Sequence, residues 1–169
     1  MLKYANYDIV FQEVPDQITL AINLSNCPNH CEGCHSPYLW KNIGTELNTS
    51  ELEKLITKYK DSITCVCFMG GDAAPKEVAN LAGYVKRTHH DLATGWYSGK
   101  SEIPKDVNDK CFDYIKLGRY EANCGPLSSP TTNQRMMQRL ADGRIKDITE
   151  FFQRQKNPLV SSMLNKQEK

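Results

Sequence analysis

With 169 residues, the chain has room for one sizeable core rather than two. Its 21 Lys and Arg against 20 Asp and Glu leave a formal net charge of +1, which argues against a general nucleic-acid or membrane-surface binder. The N-terminal residues lack the apolar core of a secretion signal, and no run approaches the roughly 18 apolar residues of a membrane span. The expectation is therefore a cytoplasmic protein, whose odd count of seven cysteines suits metal ligation or catalysis better than a disulfide framework.

The segment "YDIVFQEVPDQITLAINL" reads as two strands around a Pro15-Asp16 turn, with Ile18, Leu20, Ile22 and Leu24 alternating in the second. Asn48 and Glu51 suit the start of a helix whose Leu52, Leu55, Ile56 and Tyr59 fall on one stripe. The apolar run "ITCVCFM" predicts a buried strand ending at Gly70-Gly71. Pro75 fits the first turn of a second helix, with Val78, Leu81, Ala82 and Val85 inward. "LATGWYS" and "CFDYIKLG" predict two more strands, and "NQRMMQRL", from near Thr132, a last helix. The order strand, helix, strand, helix, strand implies βαβ units, hence an α/β fold with a mainly parallel sheet. Residues 1–152 read as a single domain and 153–169 as a polar C-terminal tail.

In such sheets the reactive loops gather at the C-terminal ends of the strands. Two unusual stretches fall there. One is "NCPNHCEGCHS" after Leu24, where Cys27, Cys31 and Cys34 are spaced C-x3-C-x2-C; the other is Gly70-Gly71-Asp72 after Met69. Three thiolates suit a zinc site completed by His30 or His35, or a [4Fe-4S] cluster with one iron left open. Gly33 lets the backbone turn tightly between the second and third thiols. Cys65 and Cys67, sharing one face of a buried strand, read as core, as do the isolated Cys111 and Cys124. Trp40 and Trp96 read as packing residues, Trp40 with the option of shielding the loop from water. Lys116 reads either as a strand lysine reaching inward or as a surface charge.

The string C-x3-C-x-G-C followed by Trp40 resembles the radical S-adenosylmethionine superfamily, and within it the activating enzymes of anaerobic ribonucleoside-triphosphate reductase. Gly70-Gly71-Asp72, Ser98-Gly99, Gly118 in "DYIKLGRY" and "TTNQRM" extend the resemblance over about residues 8 to 140. It departs from the family pattern at Leu117, where an acidic residue is frequent, and at Ala73-Ala74, where Pro-Leu is. The resemblance implies a small, incomplete parallel (β/α) barrel holding a [4Fe-4S] cluster on Cys27, Cys31 and Cys34. It also implies S-adenosyl-L-methionine contacts at Gly33, Cys34, His35, Gly70, Gly71, Asp72 and Ser98. Ser98 suits a cap as well as a cofactor contact, and His35 a solvated loop as well as one. The implied activity is hydrogen abstraction from one glycine of the partner reductase through a 5′-deoxyadenosyl radical, fed by an external low-potential electron donor. Arg119, Tyr120 and "TTNQRMMQR" are candidate docking elements. The alternatives are a radical enzyme acting on a small pterin-like substrate and a non-catalytic zinc-binding module.

Overall fold

The computed structural model describes residues 1–154. Strand β1 (Lys3–Val10) turns through Asp16, at φ 59, into β2 (Thr19–Leu24), and the two pair antiparallel with Tyr7 opposite Ile22 and Val10 opposite Thr19. The short β3 (Thr45–Glu46) adds to the outer side of β1. From β2 the sheet continues in parallel through β4 (Cys65–Met69), β5 (Ala93–Tyr97) and β6 (Tyr114–Leu117). Two antiparallel strands follow, β7 (Arg135–Arg139) and β8 (Ile145–Asp147), giving the order β3-β1-β2-β4-β5-β6-β7-β8.

Helices α1 (Thr49–Tyr59) and α2 (Pro75–Thr88) cover one face of this sheet. The Asn48 side chain accepts the Glu51 backbone N–H at 3.0 Å, satisfying one of the free donors at the start of α1. Leu52 and Ile56 of α1, with Val78 and Val85 of α2, are buried against Leu20, Ile22, Val66, Phe68 and Trp96. Full burial contributes about 1.5–3 kcal/mol for each large apolar side chain, so this layer is the main source of stability. The alternate residues point the other way: Cys65, Cys67 and Tyr114 pack with Val14 and Met136 on the second face, where Phe152 of the short helix α3 (Thr149–Arg154) joins them. β2 is thus buried on both faces rather than alternating, and only Ile18, ahead of it, is exposed.

Two sequence expectations need correction. The segment read as a helix from Thr132 is strand β7, because "RMMQR" pairs with β6, Met136 opposite Lys116 and Gln138 opposite Tyr114. Met, Gln and Arg favour a helix on their own, but sheet pairing and burial of Met136 outweigh that preference. The parallel character is confined to the middle of the sheet, which has three parallel and four antiparallel pairings. The sheet runs between two edges, β3 and β8, and stays open among the described residues, within the expected α/β class. The expected C-terminal tail lies outside those residues from 155 onward.

Candidate metal centre

The cysteine loop leaves the end of β2 and is fastened at its start. The Asn26 N–H donates to Lys41 O and the Cys27 N–H to Leu39 O, both at 2.9 Å, so Cys27 is tied to the 3-10 turn Pro37–Trp40. His30 then adopts φ 44, a left-handed conformation that costs a non-glycine residue about 1–2 kcal/mol. Its ring lies flat on Trp40, with centroids 4.9 Å apart and planes 12° apart. A second turn follows, the Cys34 N–H donating to Cys31 O at 3.1 Å, with Gly33 at φ 73. A side chain at Gly33 would also meet the Tyr120 ring, its Cβ 3.3 Å from Cε1.

All three thiols are free; Cys31 is buried, and Cys27 and Cys34 are half-buried. Burial pushes the Cys27 thiol up, and the backbone N–H groups of Asn29 and His30 act in the opposite sense. The Ser36 N–H donates to Cys34 Sγ at 3.4 Å, and the buried Trp40 Nε1 has no acceptor among the described residues. Soft sulfur ligands supported by N–H donors, beside an indole N–H awaiting an acceptor, suit an iron–sulfur group. Among the described residues no three His, Cys, Asp or Glu side chains converge to hold a single metal ion.

Three neighbouring strand ends complete the site. After β4, Gly70 and Gly71 adopt φ 99 and 90, which only glycine takes readily. Gly71 is also packed against Leu24 and Val78, where an added Cβ would lie 2.7 Å from Leu24 Cδ1. The polar groups of Gly70 have partners within the fold: its carbonyl accepts Trp96 Nε1–H at 2.8 Å and its N–H donates to Tyr97 O at 2.9 Å. Asp72 is buried and accepts three neutral donors. Ser98 Oγ–H reaches Oδ1 at 2.6 Å; the Gly99 N–H and Asn29 Nδ2–H reach Oδ2 at 2.8 and 2.5 Å. Ser98 therefore plays the local role, bonding Asp72 and accepting the Lys100 N–H at 3.0 Å.

Lys116, near the end of β6, turns inward. It is 8% exposed and donates to the carbonyls of Ser98 and Gly118. Burial lowers its ammonium to about 8, against the opposing pull of Asp72 and Cys31. Its place beside this site, like that of Asn29, was not evident from the sequence. The only available sign was a lysine at an inward position of a predicted strand. His35 is exposed, its ring 5.5 Å from that of Tyr120. Gly33 and His35, on either side of Cys34, thus face the loop after β6, while Asp72 and Ser98 meet at the ends of β4 and β5.

The remaining cysteines separate as their positions suggest, with one exception. Burial raises Cys65 to about 12 and Cys67 well above the ordinary thiol range, as expected for core thiols, and Cys111 is buried too. Cys124 is not core: it is half-buried in a loop, its Sγ 3.7 Å from Glu121 Oε2. Trp96 is a buried packing residue, stacked on Phe112 at 5.3 Å. No helix among the described residues is long and apolar enough to cross a membrane.

No curated protein and no solved structure matches the chain. A family model does, described as a 4Fe-4S single cluster domain, over residues 18–105. The matched stretch is more than half of the chain and carries β2, the cysteine loop, the Gly-Gly-Asp turn and Ser98-Gly99. With three supported thiols on a strand-end loop inside that stretch, the chain belongs to the 4Fe-4S single cluster domain family.

Proposed function

We propose that this protein is a radical S-adenosylmethionine enzyme that installs a glycyl radical on anaerobic ribonucleoside-triphosphate reductase. The observation that carries this reading is the meeting of four strand-end loops around three thiols, with Asp72 and Lys116 buried beside them. A small electron-transfer module has no need of a buried carboxylate and a buried amine next to its cluster. An amino-acid cofactor arm has both complementary groups.

Cys27, Cys31 and Cys34 hold the cluster. Asp72, oriented by three donors, would receive the cationic end of the cofactor, and the Lys116 ammonium would complement its carboxylate. Tyr120, against Gly33 and His35, walls the side next to the third ligand. When bound, the reduced cluster and S-adenosylmethionine supply a 5′-deoxyadenosyl radical that takes a hydrogen atom from a glycine Cα. We read the open sheet with its parallel centre as an incomplete (β/α) barrel, in residues 1–152, whose open side admits a loop of the partner. Arg119 is exposed beside the cysteine loop, its guanidinium 3.4 Å from Asn29 O, and we assign it to the contact with the partner's loop. A reducing compartment, the cytoplasm, and an external low-potential donor complete the reading.

The test is electron paramagnetic resonance on protein prepared without oxygen, reconstituted with iron and sulfide and reduced. The expected result is a cluster signal that changes on adding S-adenosylmethionine, is lost in Cys31→Ala, and is followed by a glycyl radical when the reductase is added. A cluster indifferent to the cofactor refutes the catalytic reading. A responsive cluster that leaves the reductase unmodified refutes the partner and points to a small substrate. Arg119→Glu tests docking separately: unchanged radical yield and unchanged reductase affinity remove Arg119 from the interface.

A further inference from the structure

Asp72 is gripped from two directions. Ser98 and Gly99 come from the neighbouring strand end, whereas Asn29 comes from the middle of the C-x3-C arc, 43 residues earlier in the chain. We infer that Asn29 is a positioning residue, whose side-chain amide locks the Asp72 carboxylate to the cysteine loop so that cluster ligands and cofactor-binding carboxylate form one rigid unit. The inference rests on the function proposed above.

The Asn29 Nδ2–H to Asp72 Oδ2 bond, at 2.5 Å, joins a neutral donor to a charged acceptor, the stronger class of hydrogen bond. An ionised carboxylate offers about four acceptor positions, and Asn29, Ser98 and Gly99 take three. Two of these partners are on Oδ2 and one on Oδ1, so the free position is on Oδ1, and a cationic group can be received without displacing Asn29. Without Asn29 the carboxylate keeps Ser98 on Oδ1 and Gly99 on Oδ2 but loses its tie to the cysteine loop, so that position is no longer held in register with the cluster ligands.

Gly99 supports the same assignment. Its φ lies outside the left-handed region, so conformation does not demand glycine; space does. A Cβ at residue 99 would press on Asn29 Nδ2, lie 2.9 Å from Asn29 Cγ and come within 3.3 Å of Asp72 Oδ2. The amide is a flexible tip that such a methyl would push aside. On its other side, Asn29 O accepts from Arg119 Nη2, tying the loop after β6 into the same unit.

The test compares Asn29→Ala, Asn29→Asp, Gly99→Ala and the double variant N29A/G99A with the wild type, each reconstituted with cluster. Iron per chain is measured, and S-adenosylmethionine is titrated against the paramagnetic signal of the reduced cluster. N29A is expected to keep its iron and its cofactor-free signal, but to need about tenfold more cofactor for half the change, the effect of losing one hydrogen bond to a charged group. G99A, which displaces the amide, should shift the midpoint as N29A does, and the double variant no further than the larger single one. N29D keeps the shape but sets a carboxylate against Asp72, so its midpoint should move furthest. Wild-type midpoints in N29A and N29D, or a double variant equal to the sum of the singles, overturn the inference while the proposed function stands. A wild-type cluster that ignores the cofactor overturns the function, and this inference with it.

Discussion

Lys116 is the residue whose burial is hardest to explain by folding alone, and replacing it with Met measures the cost. Its ammonium titrates at about 8 in the fold against an ordinary 10.5. At 1.36 kcal/mol per unit, holding it charged inside the protein costs roughly 3 kcal/mol at neutral pH. Met fills a similar volume without the charge, but leaves the carbonyls of Ser98 and Gly118 without their donor, a loss of about 1 kcal/mol each. Lys116→Met should therefore stabilise the cluster-free protein by roughly 1 kcal/mol at pH 7. The pH dependence is the sharper part. Below about 8 both folded and unfolded wild-type chains carry the proton, and the burial cost is present in full. Between about 8 and 10.5 the folded chain releases it while the unfolded chain keeps it, so wild-type stability rises with pH. The advantage of the Met variant should shrink across that window and reverse by its upper end. Urea unfolding of both proteins at pH 7 and pH 10, under reductant, gives the two differences. A variant less stable than wild type at pH 7, or a difference that does not change with pH, refutes the claim that Lys116 is held against its burial cost.

Alanine at Cys27, Cys31 or Cys34 should abolish iron binding, whereas Cys67→Ala should leave iron per chain unchanged; equal iron loss in all four would show that the core thiols also reach the metal. Gly71→Ala forces a side chain into a φ of 90 and against Leu24 and Val78, and should cost about 2–4 kcal/mol by denaturant unfolding. Asn48→Ala removes the α1 cap and should cost about 1 kcal/mol, read the same way. Trp96→Phe leaves the Gly70 carbonyl without its indole donor, and a loss of about 1 kcal/mol or more is expected in thermal melts.

The parts of the fold that were legible in advance are those whose residues follow a local period. The cap at Asn48, the stripes of α1 and α2 and the apolar run Cys65–Met69 each carry their own signal, and each formed as expected. β7 did not, because "RMMQR" becomes a strand only through its partner β6, a long-range cause with no local trace. The site divided along the same line. Cys27, Cys31 and Cys34 were marked by spacing and Gly70 and Gly71 by composition. Asn29 and Lys116 gain their significance only when loops distant in sequence meet. Ser98 likewise depends on a distant residue, its hydroxyl donating to Asp72 across two strand ends.

The parallel centre of the sheet also acts as a ruler. Its four adjacent strands, β2, β4, β5 and β6, each contribute one loop to the site. Neighbouring strands lie about 4.8 Å apart, so the outermost of these four strand ends are roughly 14 Å from each other, yet the loops that leave them bend back far enough to touch, Arg119 Nη2 lying 3.4 Å from Asn29 O. The spacing of backbone hydrogen bonds thus fixes where the strands end, and the loops, rather than the sheet, close the distance above them.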